Sequence, residues 1–330
     1  MKNIILLLAA SFVFTSCSEK NYVLFSGNIA NTKDTMIKIG NLGRDFKKEV
    51  TIDENGNFRD TLYITEPGAY FYKIGRSYST FFLKEGYDLN LSLDADDFFK
   101  SRKFKGNGSE VNNYHVGKSA LKNKLVGDAK TFFVVPIEDF LIKIKKNKDT
   151  LLDFLEASTL KGHDKEIQRK IIEHDYLLTR NNFDRFNNYH TNKHPELPEG
   201  YYAPIIQMDL DDEISFIYDK SYRYLIIENW GLTSKQALKN DPSLTQVSFV
   251  KNKIKDIKST KIKDLIVSML FRQISLKNKN YKADYPRILE MLTADQLKEK
   301  LTAKFIGIQN TKPEMPAPNF NYENYKGGKT

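Results

Sequence analysis

From residue 21 to about residue 105, apolar side chains recur at every second position, in short runs separated by Gly, Asn, Asp and Pro. That period belongs to strands with one buried face. "YVLFSGNIA" is β-branched and aromatic, with Gly27 placed for a bulge. "TMIKIGN" sets Ile37 and Ile39 against Met36, Lys38 and Gly40. "KKEVTIDENGNFRDTLYI" has the form of a hairpin: Val50 and Ile52 lead in, Asp53-Glu54-Asn55-Gly56 turns, and Phe58, Leu62 and Ile64 lead out. After a turn at Glu66-Pro67-Gly68 come "AYFYKIG", "STFFLKEG" and "YDLNLSLD", the last alternating Leu89, Leu91 and Leu93 with polar neighbours. Short strands at this spacing predict an antiparallel β-sandwich or barrel.

Near Gly106-Asn107-Gly108 the period becomes helical. Ser109 is placed to cap a helix running to about Val126. "PIEDFLIKIKKNKDTLLDFLEAST" puts Pro136 at a first-turn site and Phe140, Ile144, Leu151, Leu152 and Leu155 near one face. The next helical stretch carries Ile167, Ile171, Ile172, Tyr176, Phe183 and Phe186, and "HPELPEG" breaks it. "DDEISFIYDKSYRYLIIENW" predicts one helix with Phe216, Tyr224 and Ile227 aligned. One long or two consecutive helices follow, and "YPRILEMLTADQLKEKLTAKFIGIQN" predicts a pair with a break near Thr293. The expected class is therefore α+β. Residues 21–105 form the β-rich domain, residues 106–311 a helical domain, and residues 312–330 a linker and leading segment of a further domain.

Over 330 residues, 40% hydrophobic and 28% charged content allow sizeable cores. The formal net charge of +9 would suit an anionic partner. Yet the lysines are interleaved with acids, as in "KNKIKD" from Lys251, which is the pattern of a solvated helix face. With no zinc-finger spacing and no RNA-binding aromatic motif, nucleic acid is not an expected partner.

The single cysteine, Cys17, rules out an internal disulfide, a CxxC pair and a multi-cysteine zinc site. Its position carries the signal. Lys2 precedes the apolar run "IILLLAASFVF", too short to span a bilayer as a stable helix, and Thr15-Ser16 leads to Cys17. Residues 1–16 thus have the form of an export signal. The "FTSC" end resembles a bacterial lipoprotein signal, with Phe14 where Leu is usual. That resemblance implies cleavage before Cys17 and its acylation, residues 17–20 as an anchor linker, and the lipid bilayer of the cell envelope, on its periplasmic side, as a partner.

Other chemistry finds little support in the residues. His190 and His194 are four apart, but Thr191 stands where a zinc-protease helix needs Glu, and Pro195 ends the helix; they read as helix-end histidines. The acidic run "DLDDE" at residues 209–213 opens a helix and reads as capping. "DENGN" lacks the glycine spacing of a calcium loop. Neither G-x-S-x-G nor a phosphate-binding glycine motif occurs. Trp230 in "IIENWG" reads as core or as the wall of a groove. No metal, small-molecule cofactor or catalytic residue is expected in this chain.

Three features occur in order: the signal ending at Cys17, the β-rich stretch with "IDENGNFRDTLYITEPGAYFY", "FFLKEGYDLNLSLD" and "KFKGNGSEVNNY", and a helical region leading to "PAPNFNYENYKGGKT". This order resembles the TlpA-like thiol–disulfide oxidoreductase lipoproteins of Bacteroidetes. Pro316-Ala317-Pro318-Asn319-Phe320 looks like the first strand of their thioredoxin-like domain, and Gly328-Lys329-Thr330 like the turn that follows it. The resemblance implies a chain truncated before the redox-active WCxxC. It would be the non-catalytic N-terminal and helical part of a membrane-anchored oxidoreductase, a scaffold that positions a protein client. A standalone lipoprotein binding module and a truncated peroxiredoxin-like peroxidase are the alternatives.

Overall fold

The computed structural model describes residues 20–41 and 46–311. Residues 1–16, Cys17 and residues 312–330 lie outside them, so the expectations placed there have no structural counterpart here. The chain divides into two compact units, with the boundary between Val116 and Gly117. The first unit thus runs further than the strand pattern alone places it.

The first unit contains eight strands: β1 (Val23–Ala30), β2 (Met36–Asn41), β3 (Lys47–Thr51), β4 (Asn57–Leu62), β5 (Gly68–Ile74), β6 (Ser77–Leu83), β7 (Asp88–Asp94) and β8 (Lys103–Asn107). They form two four-stranded sheets, ordered β4-β1-β7-β8 and β3-β2-β5-β6. The pairings are antiparallel except β1 with β7, which is parallel. Inward positions alternate as the pattern requires. Val23, Phe25 and Ile29 from β1, Leu89, Leu91 and Leu93 from β7, Ile37 and Ile39 from β2, and Tyr72, Phe81 and Leu83 from β5 and β6 are all buried. Phe25 lies 4.8 Å from Phe58 and 5.1 Å from Phe81 between ring centroids, so one aromatic side chain touches both sheets.

Two expectations are corrected. Gly27 makes no bulge: it pairs in register with Phe58 and Leu91. A Cβ there would sit 2.0 Å from the Leu91 carbonyl oxygen, so glycine is required by close backbone approach. The segment through residues 53–57 is not a hairpin between paired strands. β3 and β4 belong to different sheets, and the turn carries the chain across the sandwich. The turn is locally built as expected. The Asp53 carboxylate accepts the backbone N–H of Asn55 (2.9 Å) and Asn57 (2.8 Å), and Gly56 takes a φ of +80°. Across the same edge Lys48 pairs with Asp60 at 3.0 Å.

The helices are α1 (Ser109–Val126), α2 (Ala129–Phe133), α3 (Ile137–Glu156), α4 (Gly162–Asn181), α5 (Phe183–Thr191), α6 (Ala203–Ile206), α7 (Glu213–Tyr218), α8 (Lys220–Asn240), α9 (Gln246–Lys253), α10 (Thr260–Ser268), α11 (Tyr281–Met291) and α12 (Asp295–Asn310). The second unit holds an aromatic cluster around Phe132, Phe140 and Phe183 and a larger, mostly aliphatic one spanning α7 to α12. The last helical pattern does split, at Leu292-Thr293-Ala294. Asp264 on α10 accepts the backbone N–H groups of Thr293 (2.7 Å) and Ala294 (2.9 Å), so a neighbouring helix holds the link between α11 and α12.

The single helix expected through "DDEISFIYDKSYRYLIIENW" is two. Asp219 adopts an extended conformation, and its side chain accepts Ser221 N–H as the cap of α8. The break resets the helical phase. Tyr222, Leu225, Ile226, Asn229 and Trp230 become the buried face, while Tyr224 is exposed.

Candidate functional site

The densest cluster of chemistry-bearing side chains lies inside the helical unit, where α1, α4 and the start of α8 meet. On α1, Lys118 and Lys122 are one turn apart and so share a face. Lys118 Nζ donates to Gln168 Oε1 on α4 (2.7 Å), and both side chains are buried. Lys122 Nζ donates to Asp175 Oδ2 (2.8 Å), and Ser221 Oγ donates to Asp175 Oδ1 (2.5 Å). His174 Nδ1 lies 2.7 Å from Asp219 Oδ2. The break at Asp219 therefore delivers both Asp219 and Ser221 to this cluster.

Burial pulls the Lys118 ammonium down from its usual 10.5 to about 8, against the pull of Asp175. Burial works against ionisation of Asp175 too, but Lys122, Lys118 and the bond from Ser221 hold its carboxyl below the usual range. Burial raises Asp219, with His174 opposing it.

A lysine of lowered pKa and an Asp–His pair are parts that active sites use. Their geometry here serves packing. Ser221 gives its proton to Asp175 while the His174 ring nitrogen faces Asp219, so no Ser–His relay is assembled. The adjoining cavity is about 40 Å³ and is walled by Leu125, Val126, Phe132, Ile144 and Tyr176, with Lys122 and Asp175 at its polar side. It has room for a water or two, and Lys118 does not line it. The cluster ties three helices together through charge-assisted bonds.

The residues singled out from sequence lie apart from this cluster. His194 pairs with Asp184 at 2.7 Å and is exposed, and His190 rests edge-on against Tyr189 at the end of α5. Asn192 takes a left-handed φ of 55°, so the helix stops before His194 and the two histidines share no helix face. The acidic run does cap. Asp212 accepts Ser215 N–H at the start of α7, and Asp211 accepts the N–H groups of Lys258 and Ser259 ahead of α10. Trp230 is core, edge-on to Phe249 at 5.5 Å, and its Nε1–H has no partner among the described residues. Among the described residues no group of three or more His, Cys, Asp or Glu is placed to hold a metal, and no helix is long and apolar enough to cross a membrane.

Sequence reasoning missed Lys118, Gln168, His174, Asp175, Asp219 and Ser221. The legible signal was D-x-S at Asp219, a capping pattern set where apolar positions keep a helical spacing on both sides. Comparison with models of protein families gives no match for this chain, and comparisons with curated proteins and with solved structures give none either.

Proposed function

We propose that this chain is the non-catalytic, lipid-anchored part of a thioredoxin-like thiol–disulfide system of the cell envelope, working as a scaffold that positions a protein client. The observation that carries the reading is the placement of its single cysteine. Cys17 follows a positive residue, an apolar run and Thr15-Ser16, where lipidation would consume its thiol. The order of modules after it, strands and then helices, supports the same reading. So does the absence of any cysteine from the described residues, since thiol exchange needs an attacking thiolate and a resolving partner. The His, Lys and Asp groups gathered in the helical unit are engaged with one another, which suits a rigid scaffold.

The test is disulfide reduction. The purified chain is expected to reduce insulin disulfides no faster than the thiol donor alone. Turnover that survives Cys17→Ser would contradict the reading, because no sulfur nucleophile of the cysteine type would remain.

A further inference from the structure

The sandwich has four edge strands, β4 and β8 in one sheet and β3 and β6 in the other. An exposed edge invites another chain to pair with it, and folded proteins guard such edges with charge or cover. Three are guarded here. β3 is "KKEVT", and its Lys48 is tied to Asp60 of β4. β4 also carries Arg59. β8 carries Lys103 and Lys105, and Asn113 engages both backbone groups of Phe104, donating to its carbonyl and accepting its N–H at 2.9 Å each.

β6, "SYSTFFL", has no charged residue. Asn112 engages Phe82 in the same two-handed way, at 2.7 and 2.9 Å. This contact fixes the direction of the rest of the strand. Phe82 points its N–H and C=O away from β5, so Thr80 and Tyr78, two and four residues earlier, point theirs the same way. Neither has a partner for those groups among the described residues. Tyr78 is 66% exposed and Thr80 is exposed.

The surroundings are basic. Tyr78 is directly opposite Lys73 on β5, and Lys73 is opposite Lys38 on β2, a like-charge pair that is unfavourable by itself. Lys38 is matched by Glu49 at 3.2 Å. Lys73, Arg76 in the β5–β6 turn, and Arg102, which donates to the Ser79 hydroxyl, form no ion pair among the described residues. Lys38 and Lys73 line an open cleft of about 300 Å³ with Met36, Thr35, Gly75 and the single acid Asp34.

We infer that the β6 edge is a strand-addition site for an extended, carboxylate-bearing segment of a partner protein. Such a segment pairs its backbone with Tyr78 and Thr80 and places acidic side chains toward Lys73, Arg76 and Arg102. Its strand lies two spacings from β5, roughly 10 Å, within the combined reach of a glutamate and a lysine. A second copy of this chain is disfavoured, because it would bring two basic clusters together. The inference rests on the reading of the chain as a client-binding scaffold and names where the client docks.

The experiment is fluorescence anisotropy of the full chain with a labelled synthetic peptide in which Glu alternates with Thr and Val. Saturable binding is expected. It should fall roughly tenfold or more in Lys73→Glu/Arg76→Glu, and comparably in Thr80→Pro, which obstructs the edge. Methylating alternate backbone nitrogens of the peptide should abolish binding, and this arm needs no folded variant of the protein. Equal binding of a Lys-for-Glu peptide or of the N-methylated peptide overturns the inference. So does no saturation with the acidic peptide at millimolar concentration, or self-association of the chain that Thr80→Pro abolishes. None of these readouts depends on lipidation of Cys17 or on disulfide turnover, so the two readings fail separately.

Discussion

Lys118 carries its charge into the interior of the helical unit at neutral pH, and its pH dependence follows from that. Its folded pKa, about 8, lies below the ordinary 10.5. Below pH 8 both folded and unfolded chains hold the proton, and the folded state bears the cost of burying it. Between about 8 and 10.5 the unfolded chain binds more protons, so stability rises with pH. The gain is on the order of 3 kcal/mol across that window. Urea denaturation from pH 7 to pH 10.5 is therefore expected to show the wild-type chain gaining stability relative to Lys118→Met, which lacks the titrating group. Parallel curves would show that Lys118 is not buried as a cation. This residue was not legible beforehand, because lysine and glutamine at positions 118 and 168 look like solvated helix positions. Only packing of α1 on α4 buries them. The caps were more legible, since Asp212 and Asp219 each precede a serine at capping distance.

At the scale of elements, the alternation of apolar positions marked the strands and left their partners open. A strand–turn–strand pattern is the same whether its arms pair or cross between sheets, which is why β3 and β4 read as a hairpin. The Asn112-Asn113 pair is the converse case. It lies in the stretch "KFKGNGSEVNNY", but its role appears only once Asn112 is found bonded to β6 and Asn113 to β8. Replacing both by Ala opens two edge strands and strands polar backbone groups. A loss of about 2–5 kcal/mol is expected, read as a fall in the urea midpoint of the sandwich transition. Asp264→Ala is expected to cost about 1–3 kcal/mol, through loss of the carboxylate bonds to Thr293 and Ala294 between α11 and α12, with the sandwich transition unchanged. The helix break at Asp219 was masked because apolar positions keep a helical spacing on both sides of it, and with it went the phase that buries Tyr222 and exposes Tyr224.

For the whole molecule, the α+β class and the order of strands before helices were legible, because period two and period 3.6 segregate along the chain. The extent of the first unit was not. Val111, Asn112, Asn113 and Tyr114 belong to a helix by pattern and to the sandwich by contact. A segment of residues 20–116 is expected to melt cooperatively by circular dichroism, whereas one ending at residue 105 is not, since it lacks both asparagine clamps. In the proposed reading the protein is held by a lipid on its one cysteine. The most direct measurement is metabolic labelling with a palmitate analogue in bacterial cells expressing the chain, followed by isolation of the protein. Label is expected on the wild-type chain and is expected to be lost in Cys17→Ser. A wild-type chain that stays unlabelled, or a label that survives Cys17→Ser, would contradict that reading.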